Sequence, residues 1–225
     1  MNEQQGGRGM RRAIFLGMVL ILTGILASCG GGGVIATTTI VGQTLSDPRA
    51  DGDVEFDPVL NSYTIAHASG TGNVIFGIDS SNPNLPEFRS FLDFPLDGSN
   101  GGSAIPLNAV IVAADIEVFV SRVSFATTVP TLLDLVTFPA TGPTSADFNS
   151  SPLTPTSFRS LSFFTTDQGN FVRIDVTPLM QEAQRQGLRN FQLRFLLDFI
   201  PGAGGLVTFA DSSAATAPQL TVEYF

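Results

Sequence analysis

The sequence predicts an all-β domain, either a sandwich or a barrel, and three observations carry that prediction. From about Thr37 onward, short runs rich in Val, Ile, Phe and Thr are separated by Gly, Pro, Asn, Asp and Ser. Several runs alternate in polarity with a period of two. Phe191, Leu193, Phe195 and Leu197 share one face while Gln192 and Arg194 take the other; Leu220, Val222 and Tyr224 oppose Thr221 and Glu223 in the same way. The third observation is composition. Of 225 residues 43% are hydrophobic and only 14% charged, with 19 Phe, two Tyr and no Trp, which is enough apolar material for a real core.

In chain order the predicted strands are 37–41, 54–56, 63–66, 74–78, 88–94, 110–112, 116–124, 132–137, 171–175, 191–197, 206–209 and 220–224. One helix is predicted near 178–186. Thr177 is placed to cap it, Pro178 suits the first helical position, Gly187 suits the end, and Leu179, Met180 and Ala183 give an apolar stripe. The Pro-, Ser- and Thr-rich stretch 140–157 and the segment 97–103 read as loops. Gly70-Thr-Gly-Asn73 reads as a turn, lacking the Lys and following helix of a phosphate loop. With no internal repeat and no second boundary, residues 40–225 are predicted to form one β domain.

The first forty residues read differently. Arg8, Arg11 and Arg12 precede an uninterrupted apolar stretch, 13–27, of about 15 residues, short of the ~20 that a membrane-spanning helix needs. That pattern predicts a signal peptide over 1–28. Leu26-Ala27-Ser28-Cys29 resembles the lipobox of bacterial lipoproteins, and Cys29 is the only cysteine in the chain. The resemblance implies cleavage before Cys29 and its modification by acyl chains such as palmitate, with the membrane as partner. More than one acyl chain is needed for a stable anchor. Residues 29–39, glycine-rich from Gly30 to Gly33, would then be a flexible tether. Gly rather than Asp after the cysteine implies an outer-membrane destination in the cell envelope.

The order of motifs in the β region is similar to the DNRLRE-type sandwich domains, which are related to carbohydrate-binding modules. The residues that carry this are Arg89-Ser-Phe-Leu-Asp-Phe-Pro-Leu96, Ala104-Ile-Pro-Leu-Asn-Ala109, Val172-Arg-Ile-Asp-Val-Thr-Pro-Leu-Met-Gln-Glu-Ala183, Gly187-Leu-Arg-Asn-Phe-Gln-Leu-Arg-Phe195 and Ala217-Pro-Gln-Leu-Thr-Val-Glu-Tyr-Phe225. The resemblance implies a jelly-roll-like antiparallel β-sandwich serving as an accessory module, with polysaccharide as ligand and calcium as a structural ion. One departure stands out: Asp211-Ser212-Ser213 occupies the place of a Ser-Arg-Glu-like segment.

The densest polar feature is Asp47, Asp51, Asp53, Glu55 and Asp57. In an extended chain Asp51, Asp53, Glu55 and Asp57 face the same way, and a hard cation such as Ca²⁺ would relieve their repulsion. The competing expectation is a solvated acidic edge that discourages strand-to-strand association. His67, the sole histidine, has no Ser-His-Asp order or G-x-S-x-G turn beside it, so it reads as a polar strand-end residue. Asp93, Asp175 and Asp198 stand in or beside apolar strands. Asp175 is expected to favour a helix N-terminus, and Asp93 to be neutralised by Arg89 or Arg122. The dominance of Phe indicates core rather than a half-wet sugar platform, and Arg122, Arg159 and Arg194 are candidates for meeting an acidic polymer. Net charge −9 with no lysine argues against nucleic acid. The expected function is a non-enzymatic envelope lipoprotein, a binding or accessory module for polysaccharide. The alternative is a module that docks onto another envelope protein, and a loop-sited hydrolase is the weakest reading.

Overall fold

The computed structural model describes residues 38–153, 158–198 and 204–225. Twelve strands follow one another: β1 (Ile40–Leu45), β2 (Gly52–Asp57), β3 (Ser62–His67), β4 (Asn73–Ile78), β5 (Glu87–Pro95), β6 (Ile111–Ser124), β7 (Thr128–Val136), β8 (Phe158–Phe164), β9 (Asn170–Asp175), β10 (Asn190–Leu197), β11 (Gly205–Ala210) and β12 (Gln219–Tyr224). Two helices interrupt them, α1 (Ala68–Thr71) and α2 (Thr177–Arg185). Every strand pair is antiparallel, as the all-β prediction requires. The hydrogen-bonded order is β1-β12-β6-β11-β4-β5-β10-β7-β8, with β9 added to β6 and the β2–β3 hairpin added to β5.

That sheet folds over on itself. Phe163 of β8 packs on Phe76 of β4 with ring centroids 5.7 Å apart, although β8 stands four places from β4 in the strand order. A flat sheet would separate them by about 19 Å at the usual spacing near 4.8 Å per strand. The chain therefore closes two layers around one core, the sandwich-like arrangement expected. Phe76, Phe163, Phe195 and Phe209 form its centre, each fully buried and each touching the other three at 5.0–6.4 Å. A smaller apolar cluster, Val54, Phe91, Val136, Phe138 and Phe148, lies under the β2–β3 hairpin.

Three local results differ from the sequence reading. The segments 110–112 and 116–124 are one strand, because Ala113, Ala114 and Asp115 pair with Glu223, Val222 and Thr221. Strand β8 was not expected. Its Ser160 and Ser162 lower β-propensity, yet pairing with Ser162 and Leu161 gives Pro130 and Thr131 of β7 a partner strand. Gly70-Thr-Gly-Asn73 falls in and just after the single helical turn α1, closed by Gly72 in the left-handed region at φ 70°.

Helix α2 forms where predicted, but its start is built otherwise. Thr177 is already helical, and its hydroxyl bonds Ala114 on β6 instead of capping. Asp175 accepts the Thr177 N–H at 2.9 Å, so the carboxylate at the helix start is Asp175, as its position before Pro178 suggests. Gly187, with φ 67°, ends the helix and donates to the Gln184 carbonyl. Leu179, Met180 and Ala183 bury the inner stripe against the core. Among the described residues no helix is long and apolar enough to cross a membrane.

Candidate functional site

The acidic run 51–57 lies on and just before β2, which pairs with β3 on one side and β5 on the other. The two-residue period does set Asp53, Glu55 and Asp57 side by side. Asp53 is pushed up to about 7, first by burial and then by Glu55; Glu55 is raised by burial and by Asp57. The run nevertheless does not act as one ligand set. Both oxygens of Asp57 are spoken for: Val59 and Leu60 N–H groups donate to Oδ1 at 2.9 Å, and Asn84 donates to Oδ2 at 2.7 Å. These bonds hold its pKa low and close the hairpin. Among the described residues no three acidic or histidine side chains converge on a common point with ligand geometry. Asp51, Asp53 and Asp57 are buried, which sets the strand apart from a solvated acidic edge.

Asp51 turns instead toward a residue 160 positions away. It is fully buried, and its Oδ1 accepts the Asp93 N–H at 2.6 Å. Its Oδ2 has no partner, nor has either carboxylate oxygen of Asp211 or the hydroxyl of Ser46. Asp211 and Ser46 are each 3% exposed. Burial raises the pKa of both carboxyls, and the Asp211 charge raises Asp51 further. Topology explains the meeting. Ser46 follows β1, Asp51 precedes β2 and Asp211 follows β11. Ser46 N–H is pinned on the Pro218 carbonyl and Asp211 N–H on the Gly72 carbonyl. A cleft of about 390 Å³ lined by Ser46, Asp47, Arg49, Asn100, Asp211 and Ser212 opens beside them.

The other candidates separate. Asp93 is buried and receives both its oxygen contacts from Asn190 at 2.9 Å, with burial raising its pKa; Arg89 and Arg122 take no part. Arg89 instead binds Glu87 at 2.7 Å and lies over the Phe148 ring. Arg194 is not a surface cation at all. It is 3% exposed, pairs with Asp134 at 2.6 Å and donates to the carbonyls of Asp147, Phe148 and Ser150, which clamps the predicted loop to β10. Arg122 and Arg159 are exposed, and Arg159 lies 3.9 Å from Asp175. Ser160 donates to Asp198 at 3.0 Å. His67 Nδ1 is buried without a partner beside Gly142. Nothing in the described residues points to a catalytic centre. Cys29 lies outside the described residues.

One open face gathers side chains of mixed chemistry. The strand row β1-β12-β6-β9 aligns Gln43, Thr221, Asp115 and Asp175 across its outer side, and beside them Gln219, Glu117 and Arg173. Arg173 bridges to Asp115 at 2.5 Å. At the end of this polar lattice Phe119 and Phe171 pair edge-to-face at 5.1 Å, and Phe171 is 48% exposed. The inner side of the same strands, Ile116, Val118 and Ile174, faces the core. Reasoning from the sequence assigned Phe to the core as a class and missed this pair. The alternation Phe119-Val120 and Phe171-Val172 in adjacent strands is the signal that would have found it.

No protein-family model matches the chain, and no curated protein sequence matches it.

Proposed function

We propose that this protein is a lipid-anchored module of the bacterial envelope that binds polysaccharide on the outer face of β1-β12-β6-β9, without catalysis. The observation that carries the reading is the Phe119–Phe171 pair, with Phe171 exposed and Phe119 half-buried behind it, set against rows of amide, hydroxyl and carboxylate groups. An aromatic face stacks on the apolar side of a sugar ring, while the neighbouring polar groups bond its hydroxyls. Asp115, Glu117, Asp175 and Glu223 outweigh Arg173 on this face, so its charge favours a neutral polysaccharide over the acidic polymer that exposed arginines would select. The resemblance to DNRLRE-type domains supports the same ligand class. The lipobox-like Leu26-Ala27-Ser28-Cys29 supports acylation at Cys29 and an outer-membrane location.

The test is retention of the full chain, in detergent, on a panel of insoluble neutral and acidic polysaccharides. Retention on a neutral polymer, lost at least about tenfold in Phe171→Ala and kept in Phe171→Tyr, is expected. Failure of the wild-type chain to bind any member of the panel, or indifference to Phe171→Ala, overturns the reading. Cys29→Ser should move the protein to the soluble fraction.

A second reading rests on the β2–β3 hairpin. Among the described residues strand β3 pairs with β2 alone; it carries no proline and no acidic or lysine side chain, and exposes Tyr63 and Ile65, with Val59 and Leu60 at the hairpin tip. An unpaired strand edge of this kind, packed by the 142–148 loop at Tyr63 and His67, suits strand addition by a protein partner. Stoichiometric co-purification of one envelope protein, abolished by Ile65→Lys, would favour this reading over the glycan face.

A further inference from the structure

Four oxygen atoms meet in the interior without a hydrogen-bond partner: Ser46 Oγ, Asp51 Oδ2 and both carboxylate oxygens of Asp211. A buried polar atom is ordinarily satisfied, and a buried carboxylate is ordinarily paired with a cation. Among the described residues none pairs with these two carboxyls. The guanidinium of Arg49, which lines the same cleft, is committed to Asp47 at 2.9 Å and is 79% exposed. Asp93, the other neighbouring carboxyl, is held by Asn190.

From this arrangement we infer that Ser46, Asp51 and Asp211 hold a divalent cation of the calcium class. The inference is independent of the glycan face, which lies on other residues. The donor set is oxygen only, which suits a hard cation and disfavours zinc or copper. A bidentate Asp211 with one oxygen each from Asp51 and Ser46 gives four ligands. Water from the adjoining cleft would complete the six to eight that calcium takes. Two carboxylates against one divalent ion leave the interior neutral.

A proton shared between the two carboxyls is the rival explanation. It would draw Asp51 and Asp211 into a direct hydrogen bond. That bond would satisfy Asp51 Oδ2 and one Asp211 oxygen but leave the Ser46 hydroxyl and the second Asp211 oxygen unpartnered, whereas a central ion takes up all four. The backbone beneath is already fixed: Asp51 N–H bonds the Asp47 carbonyl and Ala68 N–H bonds the Asp51 carbonyl, so the ligands are oriented before any ion arrives. The ion would tie the β1–β2 connection to the β11–β12 connection, joining chain segments from opposite ends of the domain.

The test is equilibrium dialysis of the chelator-stripped full chain in detergent against Ca²⁺. One ion per chain is expected below about 1 mM free calcium. Asp211→Asn and Asp51→Asn should weaken binding at least about a hundredfold, and Ser46→Ala several-fold. Asp57→Asn, whose carboxylate lies in the hairpin, should bind as the wild type does. Absence of stoichiometric calcium in the wild-type chain overturns the inference, whatever the variants do. Unchanged binding in both Asp51→Asn and Asp211→Asn also overturns it, as does loss confined to Asp57→Asn.

Discussion

Two buried acidic centres in this molecule solve the same electrostatic problem differently. At one, Asp134 on β7 meets Arg194 on β10 at 2.6 Å, and the same guanidinium also holds three backbone carbonyls of the 147–150 segment. Charge is met within the chain, and so is most of the hydrogen-bond capacity, Arg194 Nε alone being unpartnered. At the other, Asp51 and Asp211 sit equally deep, with no cationic partner among the described residues and with three of their four oxygens unpartnered. The comparison teaches that burial alone does not mark a carboxylate as functional; the absence of internal compensation does. Asp134 is explained by its partner, whereas Asp51 and Asp211 have no such partner among the described residues.

Breaking the satisfied centre should have the larger effect. Arg194→Ala leaves Asp134 buried and uncompensated, and should cost about 3–5 kcal/mol in urea unfolding. Replacing both partners together, Arg194→Met with Asp134→Leu, should recover most of that loss, because the penalty belongs to the orphaned charge. Equal losses in the single and double variants would show that the carbonyl clamp on residues 147–150, rather than the ion pair, dominates.

The second centre should declare itself through pH. Asp211 is raised to about 6 and Asp53 to about 7 by burial, above the 3.8 of an unfolded aspartate. The folded chain therefore binds more protons than the unfolded one between about pH 4 and 7. The associated stability is fully present below pH 4 and is lost as pH rises through the folded values. In chelator the fall should be several kcal/mol, since one pKa unit corresponds to about 1.4 kcal/mol. Saturating calcium should flatten the part of it that belongs to Asp211, and a chelator-treated chain whose stability rises from pH 4 to 7 would contradict this assignment.

Exposed groups should matter least. Phe171→Ala removes a half-exposed ring and should lower stability by less than about 1 kcal/mol while abolishing retention on a neutral polysaccharide. Arg173→Ala breaks a bridge whose guanidinium is 65% exposed, and should leave the melting temperature within measurement error. A large destabilisation by either would mean that the outer face is structural.

The architecture was largely legible because a two-residue period needs only neighbouring residues. Phe191 to Leu197 and Leu220 to Tyr224 declare their buried faces locally, and β10 and β12 appear where the pattern puts them. Pro178 and Gly187 bracket α2 for similarly local reasons. Strand β8 was hidden because its serines carry no strand signal and its pairing with β7 is a tertiary matter. Arg194 looked like a surface charge because the alternation rule assumes a solvated outer face. The 140–153 loop covers that side and supplies the carbonyls that Arg194 holds. The acidic run misled in a related way. Spacing put Asp51 with Asp53, Glu55 and Asp57, whereas the link between β11 and β12 brings Asp211 to it. In the sequence Asp211 stands out only as a departure from a resembled pattern, and no local feature joins it to a residue 160 positions earlier.

The most direct measurement is the melting temperature of the wild-type chain and of Asp211→Asn, at neutral pH, in chelator and in millimolar calcium. In chelator the variant should melt at or above the wild type, since it removes one of two repelling buried charges. In calcium the wild type should gain several degrees and overtake the variant, which should not respond. A wild-type chain indifferent to calcium, or a variant that gains as much from it, would contradict the account.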